Sequence, residues 1–321
     1  MTGAATGSAA ADSSLVGRFS AALARLNPGG GRFGLAVSGG PDSMAMLLLA
    51  HAAMPSQFEV ATVDHGLRRE AAAECALVER ICAERGLPCA VLLVQVGRGN
   101  LQAAARDARY AALAEWAQEL ELSAVATAHH ADDQAETLLM RLNRGSGVAG
   151  LAGVRERTAI PGTAIPLIRP LLSFCRAELG RVVAEEGVTL AHDPSNEDER
   201  FDRVRLRKAL ALTQVLDPLA VATSAANLAE AEEALAWAAE REWAERVTVR
   251  DGPIRYSPQA PRAVALRIVE RAIAQLGQSP RGSDVGRLLA KLQVGEGGNV
   301  GGVLVTVDGA DWVFTPEPPR R

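Results

Sequence analysis

Three short polar clusters in the first half of the chain hold residues that could do chemistry. The first, Ser38-Gly39-Gly40-Pro41-Asp42-Ser43, interrupts an apolar stretch that resumes at Met44. Two glycines there remove side chains so that backbone amides can approach an anion, and a following helix would aim its positive end at it. The hydroxyls of Ser38 and Ser43 would add donors. A plain strand-to-helix turn with Ser43 as a cap has the same composition, and S-G-G alone leaves the two readings level. The turn is not of the Walker type, since it contains no lysine and no Gly-Lys-Ser/Thr follows. Asp42 is the odd member. An acid repels a polyphosphate unless it caps backbone amides or a hard divalent cation such as Mg2+ lies between them.

The second cluster, Asp64-His65-Gly66-Leu67-Arg68, reads by itself as a solvated loop with a stray histidine. The third is richer: Thr127-Ala-His-His-Ala-Asp-Asp-Gln-Ala-Glu-Thr137, continuing through Met140-Arg-Leu-Asn-Arg-Gly-Ser-Gly147. His129 and His130 ahead of two acids invite a metal, but their spacing matches neither His-Glu-x-x-His nor a common zinc pattern, so no structural metal is expected. Asp133 and Glu136, three apart on a helix, share one face near its N-terminus. They would suit the helix dipole or, equally, a cationic substrate.

Positioning these clusters requires a particular scaffold. Phe33 to Val37, Phe58 to Val63, Cys89 to Val96 and Ser123 to Ala128 read as buried strands, and Met44 to Met54, Glu70 to Arg85 and Leu101 to Leu120 as helices between them. That alternation predicts an α/β domain with a doubly wound, Rossmann-like parallel sheet covered on both faces. Ligands of such sheets collect beyond the carboxyl ends of the strands, where all three clusters would fall. Further on, Ser173 could cap a helix, and Arg203-Val-Arg-Leu-Arg-Lys208 is a basic stretch. A boundary near Asp217 is expected, giving a tail over 1–14 without order, a catalytic domain over 15–216 and a smaller α+β domain over 217–321. The last would hold long helices at Ala222 to Val247 and Arg262 to Leu276 and a β-like end at Gly301 to Gly309.

A chain of 321 residues with 48% hydrophobic and 22% charged residues has material for two packed cores. A net charge of −4 gives no global attraction to nucleic acid, which leaves room only for a local basic surface. No segment has signal-peptide character or the length of a membrane span, so a cytoplasmic protein is expected. Cys75, Cys82, Cys89 and Cys175 form no C-x-x-C pair, and the first two, seven apart on an expected helix, read as small buried hydrophobes.

Residue for residue, S-G-G-P-D-S resembles the signature of the N-type ATP pyrophosphatases, which cleave ATP to AMP and pyrophosphate while adenylating a carbonyl oxygen. Adding D-H-G-L-R, Arg106-Asp-Ala-Arg-Tyr110, the His129 to Gly147 run, G-L-A-G153, R-P-L-L172 and D-P-S-N196, the chain from Gly34 to Arg207 resembles the tRNA(Ile)-lysidine synthetase family, with every motif in order. The resemblance implies ligation of free lysine to the wobble cytidine of the CAU anticodon of tRNA(Ile), through an adenylated cytosine. It implies ATP as co-substrate with Mg2+, Ser38, Gly39, Gly40, Pro41, Asp42, Ser43, Asp64 and His65 at ATP, and Asp42 toward the metal. Lysine would meet Arg109, Asp133 and Glu136, two acids and a guanidinium fork complementary to two amines and a carboxylate. Asp42, Asp133 and Glu136 would be the catalytic residues.

One position departs from the family. After the D-x-S-N loop the family reads Arg-Asn-x-hydrophobic-Arg, and Val204 stands where that asparagine would be. Arg205 and Arg207 are retained as ATP or tRNA contacts. The C-terminal domain is implied to bind tRNA, and a homodimer is left open. A basic stripe of Arg141, Arg144, Arg155, Arg157, Arg203, Arg205 and Arg207 is expected to make tRNA affinity fall steeply with salt. Two rivals stand: a tRNA thiolase of the same fold, which needs reactive cysteines, and a nonenzymatic nucleotide-binding module, which needs no acid pair.

Overall fold

The computed structural model describes residues 6–66, 69–95, 101–188, 190, 202–213, 215–249 and 252–317. Leu67, Arg68 and the D-P-S-N196 loop lie outside them. The chain divides into two compact units, Met1–Leu228 and Ala229–Arg321.

The first unit opens with α1 (Thr6–Leu26), so the expected tail is helical from Thr6 on. Alanine, the best helix former, dominates its start, and Leu15, Phe19, Leu23 and Leu26 bury an apolar stripe that anchors the rest. Then come β1 (Phe33–Ala36), α2 (Pro41–Ala53), β2 (Phe58–Asp64), α3 (Arg69–Glu84), β3 (Cys89–Leu93), α4 (Leu101–Glu119), β4 (Val125–Ala126) and α5 (Ala131–Leu142). The short α6 (Val148–Leu151), the strands β5 (Arg157–Ala159) and β6 (Pro166–Ile168), and helices α7 (Arg176–Glu185) and α8 (Asp202–Thr213) complete it.

Six strands form one sheet in the order β3-β2-β1-β4-β6-β5. All pairings are parallel except β5 with β6, which run antiparallel at the edge. The wholly parallel expectation fails there because the link between those strands is a tight turn through Gly162 (φ 78°), too short for a crossover. Alternation along β2 explains the two covered faces. Val60 joins the core under α1, α2 and α7, whereas Ala61 and Val63 join Leu113, Trp116 and Ala117 of α4 on the other side. α2 is apolar all round, with every residue from Ser43 to Ala50 buried, as befits a helix enclosed by the sheet and its neighbours. Helix α7 is capped at Cys175 rather than Ser173: Phe174 is drawn fully into the core, and the Glu178 carboxylate accepts the Cys175 N–H at 2.8 Å.

The second unit holds most of α9 (Pro218–Arg246), then β7 (Val247–Val249), β8 (Ile254–Tyr256), α10 (Arg262–Leu276), α11 (Gly282–Leu292), β9 (Gly298–Val300), β10 (Val303–Asp308) and β11 (Asp311–Pro316). Its five strands form an antiparallel sheet, β7-β8-β11-β10-β9, packed with α10 and α11 around Tyr256, Ile268, Leu289 and Phe314. The division between units falls inside α9, not at the Asp217 turn that precedes it. Leu235, Ala238 and Trp243 commit the later part of this uninterrupted helix to the second core. No helix among the described residues is long and apolar enough to cross a membrane.

Candidate active site

The sheet order puts β2, β1 and β4 side by side, so the three polar clusters emerge at the carboxyl ends of adjacent strands. Strand order reverses between β1 and β4, which is where an open α/β sheet leaves a crevice.

In the first cluster Gly39 has φ +81°, and a Cβ there would lie 3.2 Å from the Glu74 carbonyl, so the turn needs glycine. Gly40 is the N-cap of α2 and Pro41 begins the helix, where a missing N–H costs nothing. Ser43 is buried, and its hydroxyl donates to the Gly40 carbonyl at 3.0 Å while accepting the Ser38 N–H at 3.1 Å. That hydroxyl braces the turn, as a cap would. Ser38, at 3.2 Å from Ser43 Oγ, stays exposed. In the second cluster Asp64 accepts the Gly66 N–H at 2.8 Å, tightening the turn after β2.

His130 is the hub between the first and third clusters. Its ring is fully buried, with Nε2 3.3 Å from Asp42 Oδ2 and 3.5 Å from Asp133 Oδ2, and Nδ1 3.4 Å from Asp132 Oδ2. These are charge contacts; among the described residues neither ring nitrogen makes a well-aligned hydrogen bond. Burial opposes charging the ring, but Asp132, Asp42 and Asp133 outweigh it and push His130 up to about 9. The residue was singled out in the sequence only as part of an unlikely metal pair.

Asp133 and Glu136 do share a face of α5, and arginines fill it. Glu136, with its side chain 2% exposed, accepts from Arg203 Nε at 2.6 Å, Arg207 Nε at 2.8 Å and Arg176 Nη2 at 3.3 Å. Arg203 Nη2 also reaches Asp133 Oδ1 at 2.8 Å. Burial would raise the Glu136 carboxyl, but Arg207 and Arg203 hold it below the usual carboxylate range. Sequence reasoning missed Arg176, at the start of α7, altogether. It counted Arg203 only in a surface stripe. The spacing of Arg203 and Arg207, one helical turn apart, was the available signal, since it matches two acids one turn apart on another helix.

Arg109 makes no direct contact with this acid pair among the described residues; its guanidinium lies over the Tyr110 ring at 5.2 Å, as does that of Arg106 at 5.1 Å. It is nevertheless close to the site. Burial first, and then the surrounding Arg169, Arg203, Arg106 and Arg109, push His129 down to about 3, so the ring after β4 is neutral inside a ring of cations. Arg205 points elsewhere, pairing with Asp202. The stripe expected for tRNA is partly consumed within the fold: Arg141 donates to the Gly150 and Gly153 carbonyls, Arg157 to Leu26, and Arg203 and Arg207 to the acids. Gln134, buried between Asp133 and Glu136 in sequence, clasps Val154 with both amide atoms, Nε2 to its carbonyl at 2.7 Å and Oε1 from its N–H at 2.6 Å.

Comparison with known proteins bears on what this arrangement serves. The pattern of the PP-loop domain matches residues 15–214. A tRNA(Ile)-lysidine synthase of Novosphingobium aromaticivorans is 48% identical over 308 residues, covering 95% of this chain and 94% of that protein. The chain belongs to the tRNA(Ile)-lysidine synthase family. A second relative of that name, from Zymomonas mobilis, is 40% identical over 303 residues, covering 92% of this chain and 91% of its own. Among solved structures, a U34-tRNA thiolase of Methanococcus maripaludis aligns with a TM-score of 0.53 at 15% identity, over 68% of this chain and 80% of that one, a likeness of fold alone.

Within the tRNA(Ile)-lysidine synthase family, the Val204 departure has a structural place. Val204 is 7% exposed, so it seats α8 by burial while Arg203 and Arg207 flank it. His130 carries a testable pH signature. Its folded value lies above the ordinary 6.5, so its contribution is complete below about 6.5 and is lost as pH rises through about 9. At roughly 1.4 kcal/mol per unit the contribution is about 3 to 4 kcal/mol. Urea denaturation of wild type and His130→Gln should show that gap at pH 6 and little of it at pH 10; a gap that does not change with pH would contradict the assignment.

Proposed function

We infer that this chain ligates L-lysine to the wobble cytidine of tRNA(Ile) bearing CAU, spending ATP to AMP and pyrophosphate. What supports the reading most is that the Asp42 turn and the Asp133–Glu136 face, emerging from neighbouring strands, meet on one imidazole. ATP lies against the glycine turn and the positive end of α2, with Asp64 and His65 alongside. The 2-carbonyl oxygen of cytosine attacks the α-phosphorus, a P–O bond forms and pyrophosphate leaves from the opposite side. The lysine ε-amine then attacks ring C2 of the adenylated cytosine, and AMP departs with the oxygen.

Mg2+ fits Asp42: one carboxylate plus substrate phosphates is a common way to hold this ion, and Asp42 Oδ1 is buried with no hydrogen-bond partner among the described residues. When bound there it would neutralise charge building on the leaving pyrophosphate. Lysine must lose a proton before it attacks. Glu136 pairs the cation, while Asp133, on the same face of α5, takes the proton. Arg109, beside neutral His129, receives the α-carboxylate. The second unit contributes tRNA contacts, and the reaction is placed in the cytoplasm with its tRNA.

The sulfur-transfer rival has little to draw on. Cys75 and Cys82 are buried, and Cys175, next to Arg176, is pushed up to about 11 by burial and Glu178, which keeps it a thiol. Incubation with isotope-labelled lysine, ATP and the tRNA transcript, followed by nucleoside mass spectrometry, tests the assignment. Lysine-dependent mass on cytidine is expected; a transcript whose cytidine gains no lysine mass would refute it.

A further inference from the structure

The acid pair assigned to lysine already has cationic partners. A carboxylate offers about four acceptor sites, and Glu136 accepts four hydrogen bonds, one each from Arg176 and Arg203 and two from Arg207. Asp133 gives Oδ1 to Arg203, and its Oδ2 takes the His130 backbone N–H at 3.2 Å. A substrate ammonium therefore cannot simply add to this face.

We propose that Arg203 and Arg207 of α8 are specificity-determining residues that hold the place of the substrate amine, so that lysine binds by exchanging with them. This rests on the reading that Asp133 and Glu136 receive lysine. The asymmetry of exposure makes exchange feasible. Glu136 is enclosed and must stay paired, because an unpaired buried charge is costly, while Arg203 and Arg207 have side chains 41% and 32% exposed. Their guanidinium groups can turn into water with little desolvation to reverse. A ligand with a cationic side chain preserves the charge balance of the pocket as it displaces one. A neutral amino acid offers nothing in return for the lost guanidinium bonds and is rejected. Arg203 is the better candidate to leave first, since it is the more exposed and its departure still leaves Arg207 and Arg176 on Glu136.

The decisive property is the sign of the effect. Titration calorimetry with L-lysine on the full chain should show Arg203→Gln binding at least threefold tighter than wild type, because the resident competitor is gone. Affinity that is unchanged or weaker in folded Arg203→Gln overturns the exchange. Asp133→Asn, measured alongside, separates the two levels: if it binds lysine as wild type does, or if no protein in the set binds lysine, the assignment of the acids itself fails, and the exchange with it. A measurement on wild type alone covers the case of a variant that does not fold. Saturating L-lysine should speed amide hydrogen exchange across Asp202–Thr213, since α8 loses its hold on α5. Exchange there that is unchanged or slower also overturns the proposal.

Discussion

Asp42→Asn should lower lysidine formation by roughly 100- to 1000-fold, in line with the loss of one preorganised electrostatic partner of a transition-state charge. The substitution keeps the shape of the side chain and removes the charge that faces two ways. Asp42 Oδ1, buried without a hydrogen-bond partner among the described residues, loses the charge proposed above to hold a cation at the phosphates. Toward the sheet, His130 loses one of its three carboxylates. Asp42 is 30% exposed, so the penalty falls on chemistry more than on stability. Single-turnover rates at increasing Mg2+ should show the deficit shrinking as the ion is raised. A rate within a few-fold of wild type at low Mg2+ would mean that the metal is held elsewhere.

Glu136→Gln should weaken both the fold and the hold on lysine. It leaves Arg176, Arg203 and Arg207 around a neutral amide, and breaking a buried ion pair from one side costs about 3–5 kcal/mol. All three arginines are about one-third exposed and can turn outward, which brings the expectation down to about 2–3 kcal/mol. The folded carboxyl sits below its ordinary value, so its contribution exists above that value and disappears as pH falls through the folded one. Urea denaturation at pH 7 should show the full gap and at strongly acidic pH a much smaller one. Lysine affinity should fall as well, because one of the two acids is gone.

Some of this was readable from local signals and some was not. The three strand-end clusters could be read because apolar runs bounded by glycine, proline and aspartate fix strand ends locally, and β1, β2 and β3 follow those runs. β4 shrinks to two paired residues, and β5 and β6 have three each, too short to show a period. Ser43 was ambiguous for a different reason: a serine at a helix start can cap, bind a ligand or brace a turn, and the bracing shows only once Ser38 is packed against it. The hub role of His130 and the grip of α8 on α5 depend on residues that are neighbours only in space. Arg203 and Glu136 are separated by 67 positions, and nothing near either of them in sequence names the other.

The Gln134 clasp has a mechanical consequence. Its amide reads the backbone of Val154 as an adjacent strand would, and Gly153, at φ +66°, leaves no slack: a Cβ there would lie 2.5 Å from Gln134 Oε1. Arg141 adds a second tie from the same helix to the Gly153 carbonyl at 3.2 Å. The 150–154 backbone is therefore tied to α5 at the stretch that carries Asp133 and Glu136, and again near the end of that helix at Arg141. A side chain introduced at Gly153 would push on Gln134 and, through it, on the acids at either side.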